Sequence, residues 1–597
     1  MMPDTQLETF RREPPAPLAP RPLNLPAPFE TTLANGLRVV FVENTRLPFV
    51  TYRLAFRTGD SHDPPALPGL TDILTGMLNE GTQSRTSRRI ADDVARIGAT
   101  LGAGASSDNT TVAASALSQF NDEILELMAD ITLRPSFPAD ELELTKQNAL
   151  QNLIAQRGQP SFLANERLAR VMYGEHPYSV VSATPESIAA MTRDDLVNFH
   201  RRRFIPNNAV LVVGGDISRD GALRRIEELF GTWQPGEVVA SEFPAPPART
   251  RRTLYLVDRP GSAQSNIVIA NAGITRTDPD YFPVLVMHTV LGANASSRIF
   301  MNLREDKGYT YGAYTSLDAR RAAGSFRATA EVRTPVTGES LKEFFYELGR
   351  IREDLVTEKE LLDAQNYLTG IFPIRLETLD GLIDQLIQIK MHDLPPDYLH
   401  IYRERVSAVT REEVRRVARR YVTPDRAAVV IVGDAAALAD EIKGYAEEIE
   451  TYDSAGKRKE EGATTTTTPR EMTETTTPTN GSDMSSTSTT AGDQAGFVGS
   501  WQLEITSPLG PQTATLVVDE DGGALRGRMS SSFGEAQLDT LAQNGDTFTA
   551  GVALKIQGMA IQANIEGRRE GDNLSGTIRT NMPIVPPLMF TGRKISQ

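Results

Sequence analysis

The stretch "GLTDILTGMLNEGT", residues 69–82, raises the first chemical question. Leu70, Ile73, Leu74, Met77 and Leu78 recur at helical spacing and predict a buried stripe, with Gly81 as its stop. Asp72 and Gly76 fall four apart on one face with Thr75 beside them. A zinc-binding helix carries two imidazoles and a glutamate at such places, and a hydrolytic zinc needs three protein ligands plus a water. Asp72 alone cannot supply that set. The six histidines, His62, His176, His200, His288, His392 and His400, include no pair three or four residues apart, so no substitute helical pair exists. A site assembled in space from His62 or His176 is the one remaining arrangement, set against histidines that serve the core or the surface.

A second constellation lies in "SSRIFMNLREDKGYTYGAY". Ile299, Phe300 and Leu303 predict a helix face, Arg304 its last turn and Gly308 its end, with Tyr309 and Tyr311 alternating along the strand that follows. A guanidinium and a phenol aimed at one oxygen would stabilise an oxyanion. By residue type alone, Arg304 in a surface ion pair and Tyr311 in half-buried packing is the plainer reading.

The elements that must carry these residues show themselves as a duplication. "TRDDLVNFHRRRFIPNNAVLVVGGD", residues 192–216, and "TREEVRRVARRYVTPDRAAVVIVGD", residues 410–434, align without gaps. Each reads as a Thr N-cap, an amphipathic helix, a Pro turn, a buried strand and a Gly-Asp turn, which implies two copies of one domain. The expected organisation is a Pro-rich segment over 1–27, a first domain over 28–235, a linker over 236–251 and a second domain over 252–450. A Thr/Ser-rich segment over 451–496 lacks the apolar residues to order and is expected to be a disordered tether. Short alternating strands over 497–597 predict a small antiparallel β-barrel, with Gly499 and Trp501 forming a weak lipocalin-like G-x-W start. The fold class is α+β throughout the duplicated part.

With 62 basic against 77 acidic residues, the net charge of −15 argues against nucleic acid or an anionic membrane surface as a partner. The absence of cysteine excludes disulfides and thiolate metal sites. The polar and proline-rich start has no apolar signal segment, so a cytoplasmic location is expected, with a periplasmic one if the true start lies elsewhere.

The stretch from about Leu37 to Arg157 resembles the N-terminal domain of pitrilysin/insulinase-type (M16) peptidases, and the duplication matches their tandem halves. In that family the inverted motif H-x-x-E-H sits in G-L-x-H-x-L-E-H-M-L-x-x-G-T. Here Gly69, Leu70, Leu74, Met77, Leu78, Gly81 and Thr82 keep their places, while Asp72, Thr75 and Gly76 replace both histidines and the glutamate. The family's last zinc ligand, a glutamate, falls at Asn152, with Gln151 adjacent. The resemblance therefore implies two metallohydrolase-like domains forming half of a clamshell, with a degenerate site and no metal or cofactor in this chain. Arg304 and Tyr311 stand where the family places an arginine and tyrosine that face the zinc and polarise the scissile carbonyl. Bacterial relatives include two-subunit enzymes that divide the zinc motif and this pair between chains. The expected role is that of a noncatalytic subunit, inert alone, that joins a zinc-bearing partner in a heterodimer to bind and help hydrolyse unfolded peptides. A structural or binding shell without proteolysis is the alternative. The segment Ala99–Leu117 resembles the family's edge strand along which a peptide lies, and reads equally as a plain strand after a Gly-rich turn.

Overall fold

The computed structural model of the chain describes residues 22–239, 242–459 and 498–596, apart from 508–509, 522–523, 532–533, 545, 557–558 and 581–587. Residues 1–466 form one compact unit and 467–597 a second.

Within the first unit the duplication is visible as two six-stranded sheets. In the first, the order is Phe29–Thr32, Arg38–Glu43, Ala209–Gly215, Phe49–Phe56, Thr110–Leu117 and Thr100–Ala105. In the second it is Glu448–Tyr452, Thr253–Asp258, Ala428–Gly433, Gln264–Ala272, Gly324–Arg333 and Thr310–Ala319. Each has a parallel pair, Arg38–Glu43 with Ala209–Gly215 and Thr253–Asp258 with Ala428–Gly433, in an otherwise mostly antiparallel arrangement. The outer strands differ: Phe29–Thr32 runs antiparallel to its neighbour, whereas Glu448–Tyr452 runs parallel.

The repeated blocks fold as read. Thr192 and Thr410 cap the helices Arg193–Arg203 and Arg411–Tyr421, each in a reciprocal capping box, with Asp195 and Glu413 respectively. The strands that follow, Ala209–Gly215 and Ala428–Gly433, are buried along their whole length. Burial on both faces follows from an exchange between the halves. Val39, Phe41, Leu211 and Val213 face the first half's own helices, but Val40, Val42, Val210 and Val212 face a core containing Leu382, Ile383 and Leu386 of helix Leu379–Met391. Conversely, helix Pro160–Tyr173 of the first half lays Leu163, Leu168 and Met172 on Tyr255, Val268 and Val430 of the second sheet. Each half thus lends a helix to the other's sheet, which is why both strands read as continuous apolar runs instead of alternating ones. Gly214 allows the close approach: a Cβ there would stand 2.8 Å from the terminal carbons of both Leu379 and Ile383. Arg53–Asp380 at 2.8 Å and Lys390–Glu30 at 2.6 Å tie the same faces together.

The second half continues beyond the expected boundary at 450. Glu448–Tyr452 completes its sheet, a turn follows with Gly456 N–H donating to the Asp453 carbonyl, and Lys459 pairs with Asp258 at 2.6 Å. An apolar Tyr452 between acidic residues gave no compositional sign of this edge strand. The rest of the expected tether, 460–496, lies outside the described residues, as does most of the Pro-rich segment. Leu23 and Leu25 from its end pack against the large core.

In the second unit, eight strands from Gly499–Ser507 to Leu588–Ser596 form a closed antiparallel barrel in which each strand pairs with its sequence neighbour and the last with the first. Its interior is filled by side chains such as Trp501, Leu516, Phe548, Ile565 and Phe590, and Trp501 is fully buried with Lys594 over its ring. The barrel that the alternating pattern predicts is present. Among the described residues no helix is long and apolar enough to cross a membrane.

Candidate functional site

The motif helix forms as Leu70–Met77, entered through Gly69 at a left-handed φ of 88°. Asp63 caps it from outside, accepting from the Gly69 N–H at 2.8 Å and the Thr71 N–H at 3.0 Å. Leu70, Ile73, Leu74, Met77 and Leu78 are all buried, and Asp72 and Gly76 occupy the open face. Thr75 is buried, with its hydroxyl donating to the Asp72 carbonyl at 2.9 Å. A Cβ on Gly76 would meet only Thr145 Cγ2, at 3.9 Å. Asn152, further along the helix Ala139–Arg157, is exposed.

This donor set does not fit zinc. One position has no side chain, one is a hydroxyl committed to its own helix, one is a neutral amide, and none is an imidazole. What surrounds Asp72 instead is acidic. Burial, followed by the charges of Asp72 and Asp63, pushes the Asp60 carboxyl up to about 8. Burial also raises Asp63, to about 6 against the hydrogen bonds it accepts.

Four of the six histidines make structural hydrogen bonds. His62 accepts from the Gly59 N–H at 3.2 Å, and burial, then Arg203, pushes it down to about 4. His176 accepts from the Tyr178 N–H at 3.0 Å and lies edge-on to Phe243 of the interdomain linker. His200 contacts the Thr132 carbonyl and His288 the Thr315 hydroxyl, both pushed by burial down to about 4. Burial also lowers His392, and His400 is exposed. Among the described residues no group of three or more His, Cys, Asp or Glu is placed to hold a metal ion.

The structure does bring Arg304 and Tyr311 together. The segment after Arg298–Phe300 is underwound into a π-helical turn, Met301–Asp306, and Gly308 leaves it at a φ of 64°. The Arg304 guanidinium then donates to the Tyr311 carbonyl and lies 5.9 Å from the Tyr311 ring centre. The strand Thr310–Ala319 is bulged at this point. Its register against Gly324–Arg333 shifts between Ala330 and Val332, so Tyr311 and Gly312 stand opposite Glu331 alone. Thr310 Oγ1 stabilises the bulge by donating to the Glu331 carbonyl at 2.6 Å and accepting from the Gly312 N–H at 3.1 Å. The bulge re-aims Tyr311, which is 88% exposed.

Tyr311 lines a groove of about 550 Å³ with Tyr314, Arg327 and Glu331 of the second half and Ser161 and Asn165 of the exchanged helix. Arg327 donates to Asn165 Oδ1 at 2.9 Å, which joins the halves across the groove floor. None of Asp72, Thr75, Gly76 and Asn152 lines it. The residues that sequence reasoning missed here are Asn165 and Arg327, since neither belongs to a local motif. The strand Thr100–Ala105 is the last of its sheet, paired only with Thr110–Leu117 among the described residues, and Cβ atoms on Gly102 and Gly104 would meet open space. Asn79, just beyond the motif helix, donates to the Leu101 carbonyl at 3.3 Å and ties helix and edge strand together.

Comparison with known proteins agrees with this architecture. Residues 38–186 match the family described as insulinase (peptidase family M16), and residues 190–368 match the one described as the peptidase M16 inactive domain. The uncharacterized zinc protease YmxG of Bacillus subtilis (strain 168) is 24% identical over 409 residues, 67% of this chain and 97% of its own length. The non-peptidase homolog YmxG of Helicobacter pylori is 24% identical over 387 residues, 63% of this chain and 87% of its own. The crystal structure of a peptidase M16 inactive domain from Pseudomonas fluorescens superposes with a TM-score of 0.64 at 29% identity, covering 68% of this chain and 98% of that one. Two tandem domains of matching fold, with a motif helix that lacks the zinc ligands, lead to one assignment: the chain belongs to the M16 peptidase family and carries a C-terminal β-barrel.

Proposed function

We propose that the chain is the noncatalytic subunit of a two-subunit M16 peptidase, pairing with a zinc-bearing chain and contributing Arg304 and Tyr311 to its site. The observation that carries this reading is the bulge that turns Tyr311 outward into a groove while the Arg304 guanidinium lies against it. An exposed tyrosine on a dedicated bulge serves no packing purpose. The phenol would donate to the scissile carbonyl as it gains negative charge, and Arg304 would fix the phenol's position and supply positive potential. Zinc and its activated water would come from the partner, since Asp72, Thr75, Gly76 and Asn152 provide no site for them. Unfolded peptide would be held by its backbone along the outer edge of Thr100–Ala105, which among the described residues pairs with no second strand.

One observation favours the second reading, a peptide-binding or assembly shell without proteolysis. Arg304 is already engaged by the Tyr311 carbonyl, as a strut for the bulge would be. The two readings separate when the chain is mixed with an M16 chain bearing an intact H-x-x-E-H motif. Hydrolysis of quenched fluorescent peptides that needs both chains, and that falls in Tyr311→Phe without loss of association, supports the split site. A stable complex with unchanged hydrolysis in that variant supports the shell.

A further inference from the structure

A cavity distinct from the Tyr311 groove is walled in part by the π-helical turn that carries Arg304. It encloses about 740 Å³ between helix Tyr281–Gly292, the π-helical turn, helix Thr337–Glu353 and the start of helix Glu358–Glu377. That volume falls within the range of small-ligand pockets.

Its walls are charged in an unusual way. Arg298 is 8% exposed and pairs with Glu360 through Nε at 2.6 Å and Nη2 at 2.9 Å, leaving Nη1 buried without a partner among the described residues. Asn302, 9% exposed, donates its amide N–H groups to Glu343 and Glu347, leaving Oδ1 buried without a partner among the described residues. One orphan donor and one orphan acceptor therefore share a wall, and buried groups of this kind are normally satisfied. The other charges are loosely matched: Lys307 stands 3.7 Å from Glu343 and Arg350 3.5 Å from Glu347, so both signs stay available to a ligand. Burial works to raise the Glu360 carboxyl, but Arg298 and the Thr357 N–H outweigh it and hold it down to about 2, so the pair stays ionised.

The duplication supplies an internal control. In the first half, the buried acid of the corresponding helix Asn121–Leu133 is Asp130, and it is saturated by Thr82 at 2.7 Å, Ser84 at 2.9 Å, Arg85 at 2.6 Å and Arg134 at 2.9 Å. The second half also has a buried acid on its helix Thr337–Glu353, Glu347, but among the described residues gives it only Asn302 and Arg350, beside the cavity. A structural network would have closed, as its twin did.

From the orphan donor and acceptor in one cavity wall we infer a binding site for a small zwitterion bearing a free ammonium and a free carboxylate, the termini of a short peptide or a free amino acid. The ammonium goes to Glu343, Glu347 and Asn302 Oδ1, and the carboxylate to Arg298. Met301 and Tyr346, 42% and 57% exposed at the cavity, provide apolar surface for the part between. The site needs neither a partner chain nor proteolysis, and so stands independently of the proposed peptidase role.

The test is calorimetric titration of the full chain with trialanine, N-acetyl-trialanine, trialanine amide and L-alanine, up to about 10 mM, a range that detects dissociation constants near 1 mM. The expected result is saturable binding of trialanine, weakened about tenfold or more by either blocking group, as loss of a charged hydrogen-bonded partner implies. L-Alanine binding as tightly would identify a single amino acid as the occupant. Glu343→Gln should weaken binding comparably, and Ser296→Trp, at an exposed position on the cavity lining, should abolish it with the fold intact by circular dichroism. No binding of trialanine or alanine, binding of either blocked form as tight as that of trialanine, or undiminished binding in Ser296→Trp would overturn the proposal.

Discussion

Tyr311→Phe removes one hydroxyl and, on this account, one transition-state hydrogen bond. Tyr311 is 88% exposed and its hydroxyl has no hydrogen-bond partner among the described residues, so folding should change by no more than about 0.5 kcal/mol. Loss of an oxyanion donor, in contrast, costs roughly 2.7–4 kcal/mol of transition-state stabilisation, a fall of about 10²–10³ in kcat. Arg304→Ala acts twice. It withdraws positive potential, and it frees the Tyr311 carbonyl whose hydrogen bond steadies the bulge, so the phenol loses its aim. The two substitutions should therefore be strongly non-additive, with the double variant no worse than the more damaged single one. Arg304→Lys, which keeps the charge but not the planar fork, should recover only part of the loss. The assay is steady-state hydrolysis of a quenched fluorescent peptide by the assembled pair of chains, with association followed by size-exclusion chromatography. Independent, additive losses, or unchanged kcat in Tyr311→Phe with association intact, would refute the reasoning.

Other consequences are accessible without a partner. Gly76→Ala should raise stability by about 0.5–1 kcal/mol, read as a higher urea midpoint, because the helix interior has room for the methyl group. Leu74→Ala, at a fully buried position of the first core, should lower it by about 2–5 kcal/mol in the same measurement. Asp60 holds its proton to about 8 in the folded chain but to its ordinary value near 3.8 when unfolded, so the folded state binds more protons across that window. Stability should accordingly fall as pH rises from about 4 to about 8, and Asp60→Asn should flatten that part of the urea-midpoint profile. Adding zinc to Gly76→His alone should give no stoichiometric metal in mass spectrometry, since Asp72 and one imidazole leave the ligand set short by one and Asn152 cannot complete it.

Much of this was legible in the chain. The Thr caps at 192 and 410 and the apolar stripe of the motif helix are local features, set by hydrogen bonds and periodicity within a few residues, and each formed where the pattern placed it. The vacancy at Gly76 needed no structure, because glycine has no donor to offer. The exchange of helices Pro160–Tyr173 and Leu379–Met391 was hidden, since an apolar strand buried on both faces does not reveal which helix covers the second. The bulge at Tyr311 was hidden for a related reason: register is a property of two strands, and nothing near Tyr311 names Glu331 as its opposite. Tyr452 joined the second sheet through pairing with Val257, a contact that the polar composition around it did not announce. The cavity beside Arg298 is readable only by comparing two halves in space, because its signal is a partner that Glu347 lacks and Asp130 has.

The central claim is that this chain completes an active site whose metal belongs to another. It is tested most directly by measuring peptide hydrolysis by the purified chain, by a zinc-bearing M16 chain and by their mixture, with metal analysis of each. The account predicts activity that rises sharply in the mixture, with zinc residing on the partner. Zinc and hydrolysis in this chain alone would contradict it.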